Sequence, residues 1–175
     1  FTRMGTSFMQ TAKLRASDAS DGDQFGQSVT VDGDIAVVGV PLDSDIDSNQ
    51  GSAYVFMRTG MMWTQIQKLT ASDGARDDRF GFVVDIDGDN ILVTAQTDDV
   101  SAGSAYIFQR QPSGMWTELT KLVASDRRQI DQFGFSGAIS GSTVLIGAPS
   151  NDDAGSSSGS AYFFDEFAPV VPVMP

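Results

Sequence analysis

The sequence predicts an all-β chain of β-propeller blades, three four-stranded antiparallel repeats that form either a partial propeller or half of a six-bladed ring. Three observations predict it. A Phe-Gly pair opens an alternating strand at residues 25, 80 and 133. Each such strand leads through a two-residue Asp-Gly or Ser-Gly turn (Asp32-Gly33, Asp87-Gly88, Ser140-Gly141) into an almost wholly apolar run. The whole pattern returns, with Lys13-Leu14, Lys68-Leu69 and Lys121-Leu122 spaced 55 and then 53 residues apart. Asp-Gly between apolar runs is a strong hairpin signal, because a tight turn needs positive φ at its centre. A period of about 40–50 residues carrying four strands is what a blade requires.

Within each repeat four strands are expected. Strand A covers Phe25–Val31, Phe80–Ile86 and Phe133–Ile139. Strand B covers Ile35–Val40, Ile91–Ala95 and Val144–Ala148, apolar throughout because neighbouring blades cover both of its faces. Strand C follows Gly-Ser-Ala-Tyr and covers Ala53–Met57, Ala105–Gln109 and Ala161–Phe164. Strand D, at Trp63–Leu69 and Trp116–Leu122, alternates and carries charge, as an outer edge does. Blade one is placed at about residues 23–69, blade two at about 78–122 and blade three at about 131–165. Residues 8–14 match strand D in spacing but have no A–C strands before them, and the third repeat has no strand D of its own. Residues 8–14 are therefore an orphan outer strand of a domain spanning 1–165. Three prolines in 166–175 exclude a central strand there and mark an extended tail or linker.

Phe25, Phe80 and Phe133 are expected to be equivalent buried residues, as are Val37, Val38, Leu92, Val93, Leu145 and Ile146. The Asp of each Asp-x-Phe-Gly (Asp23, Asp78, Asp131) is expected to accept backbone N–H bonds near the start of strand A. Phe8, Trp63 and Trp116 fall in register and are expected to pack between blades rather than form a sugar-stacking shelf.

Phe-Gly, the short hairpin, Gly147-Ala148-Pro149 and Gly51-Ser52-Ala53-Tyr54-Val55-Phe56 together resemble the FG-GAP repeat of integrin-α-type propellers, in its microbial-style short-turn form. The resemblance covers residues 8–165. Copy two departs from it, with Thr94-Ala95-Gln96 in place of Gly-Ala-Pro, and copy one has Val40 in place of the alanine. The resemblance implies ligand binding through loops on one face, assisted by a cation. The calcium loop of integrin-type repeats is not carried over, because a two-residue turn between strands A and B cannot wrap an ion needing ~6–8 oxygens.

The net charge is −12 with no histidine, which argues against nucleic acid as a partner and against anionic membrane surfaces. No apolar run reaches the ~20 residues that span a bilayer. There is no cysteine, hence no disulfide. Catalysis finds little footing: nucleophiles lack a base, and the only glutamates are Glu118 and Glu166. The candidate metal ligands are Asp43, Asp45, Asp47 and Asn49, where alternating aspartates open a loop as in many calcium sites, although Ser48 stands where the sharp-turn glycine would be. Topology places the D–A and B–C connections on one face, so Asp18, Asp21, Asp23, Asp73, Asp77, Asp98, Asp99, Asp126, Asp152 and Asp153 form an acidic candidate ligand-binding face.

The function expected is a non-catalytic protein-interaction or adhesion module, with Ca²⁺ as the one cofactor considered. The alternatives are a scaffold subunit of a larger assembly and a carbohydrate-binding or glycoside-hydrolysing propeller. Partners are expected to be proteins, with a glycan as the other reading. Localisation is expected to be extracellular, at the cell surface or in an organelle lumen. Three blades are fewer than the ~4–8 that close a ring. The chain is therefore expected either to form a homodimer, residues 8–14 of one copy completing blade three of the other, or to be part of a longer chain or complex.

Overall fold

The computed structural model describes residues 2–4 and 6–166, so the Pro-rich segment after Glu166 lies outside the described residues. Among the described residues the chain runs through β1 (Thr2–Met4), β2 (Ser7–Met9), β3 (Ser28–Asp32), β4 (Ile35–Val40), β5 (Ser52–Thr59), β6 (Met62–Leu69), β7 (Phe80–Asp87) and β8 (Asn90–Ala95). A four-residue helical turn, α1 (Asp98–Ser101), precedes β9 (Ser104–Arg110), β10 (Trp116–Leu122), β11 (Ser136–Ser140), β12 (Thr143–Ala148) and β13 (Ser160–Asp165). Three antiparallel sheets result: β3-β4-β5-β6, β7-β8-β9-β10 and β11-β12-β13. They are the three expected blades, with strands A to D in chain order. No helix among the described residues is long and apolar enough to cross a membrane.

Each A–B connection is a two-residue hairpin, as the sequence predicts, but its central pair lies one residue on from Asp-Gly or Ser-Gly, at Gly33-Asp34, Gly88-Asp89 and Gly141-Ser142. Asp32 pairs with Ile35, Asp87 with Asn90 and Ser140 with Thr143. Gly33, Gly88 and Gly141 supply the positive φ at +54°, +57° and +58°. Because only the first central residue is left-handed, these turns have the glycine-first pattern that suits the twist of a hairpin.

The blades stack through strand A, with β7 against β3 and β4, and β11 against β7 and β8. The first inter-blade core joins Val37, Ala53 and Val55 of blade one to Phe80, Val84, Ile86, Val93, Tyr106 and Phe108 of blade two. The second joins Leu92, Ala105 and Ile107 to Phe133, Ile139, Val144 and Ile146. Glycine makes this approach possible: a side chain on Gly51 would strike the backbone of Phe80, and one on Gly103 that of Phe133. Across these seams Phe80 N–H donates to Gln50 O (2.9 Å) and Phe133 N–H to Ala102 O (3.0 Å).

Four expectations change. Phe25 is half-buried rather than buried, because no described blade covers its outer side; it packs on the Ala36, Val38, Val40, Tyr54 and Phe56 cluster of its own sheet. Leu145 is 37% exposed rather than buried, because no described blade covers that face of β12. Strands β3 and β11 start at Ser28 and Ser136, three residues after Phe25 and Phe133, whereas β7 starts at Phe80 itself, which pairs with Ala95. Residues 8–14 are not one strand. Only Ser7–Met9 is extended in a ladder, and it pairs with Thr2–Met4 in the register Thr2↔Met9, Arg3↔Phe8, Met4↔Ser7. That is the register of the C–D hairpin of blade one, Met57↔Thr64, Arg58↔Trp63, Thr59↔Met62. Beyond it, Leu14 and Ala16 pack on Ala36, Val38, Val40, Tyr54 and Phe56, as Leu69 and Ala71 pack between blades one and two. The Lys-Leu landmark is thus in register even where the strand is not formed.

Candidate functional site

On the face where the D–A and B–C connections emerge, blades one and two carry the same polar group. In blade one the Lys68 ammonium, on β6, reaches three carboxylates: Asp45 at 2.6 Å, Asp43 at 2.7 Å and Asp18 at 3.0 Å. Ser52 Oγ donates to Asp43 (2.5 Å), and Tyr54 Oη donates to Asp18 (2.8 Å). The ammonium also lies 5.2 Å from the centre of the Tyr54 ring. Blade two repeats the arrangement. Lys121 meets Asp98 at 2.6 Å and Asp73 at 2.7 Å, Ser104 Oγ donates to Asp98, and Tyr106 Oη donates to Asp73 at 2.9 Å. Asp43 and Asp98 are buried, so a paired cation is what lets them stay charged.

Blade three has no strand D among its described residues and therefore no lysine at this place. The buried carboxylate is replaced by an amide, Asn151, which accepts from Ser160 Oγ (2.8 Å) and donates to Tyr162 Oη (3.2 Å). Where the lysine is missing, the B–C loop carboxylate that it would pair with is missing too, while Asn151 Nδ2 donates to the buried Asp131 (3.4 Å).

The electrostatics follow the geometry. Burial alone would push the Asp43 carboxyl up; the Lys68 ammonium, the Ser52 hydroxyl and the Asp45 N–H outweigh it and hold it below the usual value. Asp18 and Asp73 are lowered in the same way against their desolvation, by Tyr54 and Lys68 and by Lys121 and Tyr106. Lys68 and Lys121, despite burial, are pushed up by the carboxylates around them. Asp78 goes the other way, to about 6, because burial and the neighbouring Asp98 and Asp73 charges outweigh the Ala75 N–H and Lys121. In blade three Asp126 is lowered by its bond with Asp153, and Asp153 is raised by the same bond.

The structure brings together two of the four candidate metal ligands, Asp43 and Asp45, around the Lys68 ammonium. The other two face elsewhere: Asp47 meets Arg76 at 3.1 Å, and Asn49 Nδ2 donates to Asp77 at 2.8 Å. Among the described residues no group of three or more Asp, Glu, His or Cys is arranged to hold a metal ion. Of the acidic-face residues, Asp18, Asp73 and Asp98 belong to the lysine groups, while Asp99 meets Arg127 at 2.7 Å and Asp153 meets Arg128 at 3.6 Å. Asp21, Asp77 and Asp152 are exposed. Asp23 Oδ2 accepts from Ser20 N–H (2.6 Å), Asp78 from Ala75 N–H (2.6 Å) and Asp131 from Arg128 N–H (2.9 Å). The Asp of Asp-x-Phe-Gly therefore braces the turn before strand A, three residues back.

Trp116 is buried between blades, its backbone held by Gln67 of β6, while Trp63 is only half-buried. The Phe8 side chain lies outside what is described. Glu118 accepts from Ser72 N–H and Oγ, both at 2.8 Å, a loop-to-strand tie. Sequence reasoning noticed Lys-Leu and Gly-Ser-Ala-Tyr as landmarks and missed what they do. Their common period was the available signal, since a lysine, a serine and a tyrosine recurring in step with an aspartate must meet in every blade.

Comparison with curated proteins finds no match. The family model described as FG-GAP repeat matches three consecutive segments, residues 8–56, 63–108 and 116–164. Each segment runs D-A-B-C, so the family's unit begins on the outer strand of one blade and ends on strand C of the next. With three registered matches covering most of its length, this chain belongs to the FG-GAP repeat family.

Proposed function

We propose that the chain is a non-catalytic interaction module that recognises a protein partner through the D–A and B–C loops. FG-GAP repeats occur mostly in extracellular proteins, and an extracellular or cell-surface setting is part of the reading. The observation that carries it is the lysine group. In blades one and two it ties a D–A loop to a B–C loop from beneath, and it leaves carboxylates such as Asp21, Asp47, Asp77 and Asp99 at the rim. A rigid floor under polar loops is how a scaffold presents a binding surface. The rim is acidic, so the partner is basic, and steering by charge makes the association salt-sensitive. Surface plasmon resonance with an immobilised lysine-rich peptide tests this. Binding should weaken with salt and fall when Asp21, Asp77 and Asp99 are changed to Asn. It should persist when Asp34 and Asp89, on the opposite hairpins, are changed instead. Equal loss in both variants would remove the face assignment.

Calcium assistance at residues 43–49 belongs to the same reading. The ion would compete with Lys68 for Asp43 and Asp45, so binding is expected in the weak ~10⁻⁴–10⁻³ M range, and tighter in Lys68→Met. Calorimetric titration checks it, and no heat in either chain removes calcium from the function.

A further inference from the structure

We propose that the trailing face of blade three is a docking surface for the leading face of blade one in a second copy of this chain, and that Gln10–Leu14 of that copy adds to the free edge of β13. The surface is apolar and, among the described residues, uncovered. Phe163 is 69% exposed, whereas its register counterparts Val55 and Ile107 are fully buried by the following blade. Leu145 is exposed where Val37 and Leu92 are buried. Gly159 holds φ at +77°, like Gly51 and Gly103, yet no neighbouring strand crowds it as Phe80 and Phe133 crowd those two. The third blade is therefore shaped to receive a Phe-Gly start that the described residues after it do not supply.

The same molecule carries the matching half at its other end. Val29 and Val31 are 66% and 64% exposed, and their counterparts Val84 and Ile86 are buried against blade one. Phe25 is left half-covered beside them. By the internal register, Phe25 N–H would donate to Ser158 O as Phe80 N–H does to Gln50 O. Gly33 N–H would find Ser140 as Gly88 N–H finds Asp32 Oδ2 (2.9 Å) and Gly141 N–H finds Asp87 Oδ2 (2.6 Å).

The edge of the sheet supports the same occupant. Among the described residues β13 has β12 on one side and no strand on the other. Gln10–Leu14 belongs to no ladder, and in register with β6 it would lie opposite Ala161–Phe164. That pairing sets Met9 opposite Asp165, so Thr2 gives up its place beside Met9 and the β1–β2 hairpin opens at that end. It sets Lys13 beside Tyr162, Asp126 and Asn151, where Lys68 and Lys121 stand in blades one and two. Blade three would gain the cation that its group lacks. Two copies joined this way present six blades, within the ~4–8 that close, and closure removes both open faces and the strand edge. The contact is head-to-tail, so its two halves can be blocked separately.

The proposal rests on blade register and not on the acidic-face reading, and it fails separately. Native mass spectrometry of residues 1–175 at micromolar concentration should show two chains. Phe163→Asp and Val29→Asp should each give monomers with unchanged circular dichroism, because both side chains are exposed in the single chain. Mixing the two variants restores one intact contact, and carbodiimide coupling should then link Lys13 of the Phe163→Asp chain to Asp126 of the Val29→Asp chain. A monomeric wild-type chain, a dimer that survives Val29→Asp, or a mixture that yields no such link would overturn it.

Discussion

Blade two and blade three carry the same repeat, yet they live in different surroundings. Ile107 and Phe163 occupy one position in β9 and β13; the first is buried and the second is mostly in solvent. Leu92 and Leu145 divide in the same way. Local sequence does not cause the difference, since both segments form the same strands in the same register. The neighbour causes it. Among the described residues blade two is covered on both faces and blade three on one. In a stacked array a repeat's stability is set by its interfaces as much as by its own residues. The polar group shows the same rule in charge: Asp98 is buried with Lys121, and Asn151 is buried with no lysine.

The largest expected effect comes from the aromatic that fills the seam. Phe80 is fully buried, with Tyr106 at 5.4 Å and Phe108 at 5.9 Å between ring centres. Phe80→Ala should cost ~3–5 kcal/mol in urea melts. Phe25→Ala, at the same place in blade one, should cost less than half as much, because that ring is already half in water. Equal losses would mean that the burial of Phe80 by blade one contributes nothing.

The charged groups should follow. Lys121→Met strands the buried Asp98 carboxylate, and removing one partner of a buried pair costs ~3–5 kcal/mol. The group's rim is open to solvent, so about 3 kcal/mol is expected. Adding Asp98→Asn to Lys121→Met should recover most of it, because blade three already works with an amide and no lysine. A double variant as weak as the single one would break the comparison between the two blades.

Asp78 gives a pH signature. Its carboxyl titrates near 6 in the fold, above its ordinary value, so the folded state holds the proton more tightly. Stability from this group is present below the ordinary carboxylate range and is lost as pH rises through about 6. Asp78→Asn should flatten the melting profile between about pH 4 and 6, by roughly 1–2 kcal/mol across the window. Asp43, Asp18 and Asp73, all lowered, act in the opposite direction below the ordinary range.

How much of this was legible depends on where the information lay. The hairpins, the B strands and the repeat register could be read because turn glycines and apolar runs act locally. The exposure of Leu145 could not, because an isolated apolar strand reads the same whether or not a blade follows it. The split of residues 8–14 was hidden for a related reason: Leu14 is placed by the blade-one core while Gln10–Lys13 has no ladder to join. In the site, alternating Asp43, Asp45 and Asp47 looked like an ion loop. The partner that holds the first two is Lys68, some twenty residues on. Its role follows from the pairing of β5 with β6, which sets Lys68 opposite Tyr54.

The smallest expected effect is the sharpest test of the comparison. Phe163→Ala removes a large aromatic side chain that, in the single chain, touches little on the side where Ile107 meets blade three. Surface substitutions away from special features usually stay within about 0.5 kcal/mol, and that is the loss expected for the monomer at high dilution. Ile107→Ala, by contrast, should fall in the ~2–5 kcal/mol range of buried aliphatic truncations. The same chemical step at the same blade position would then differ severalfold with the neighbour alone. Measured again at high protein concentration, Phe163→Ala should lose more, because any partner seated on the blade-three face stabilises the wild-type chain by mass action and the variant less. Thermal melts over a concentration series read both quantities. A loss that is large at dilution would mean that Phe163 already packs within the chain, and the contrast with Ile107 would disappear.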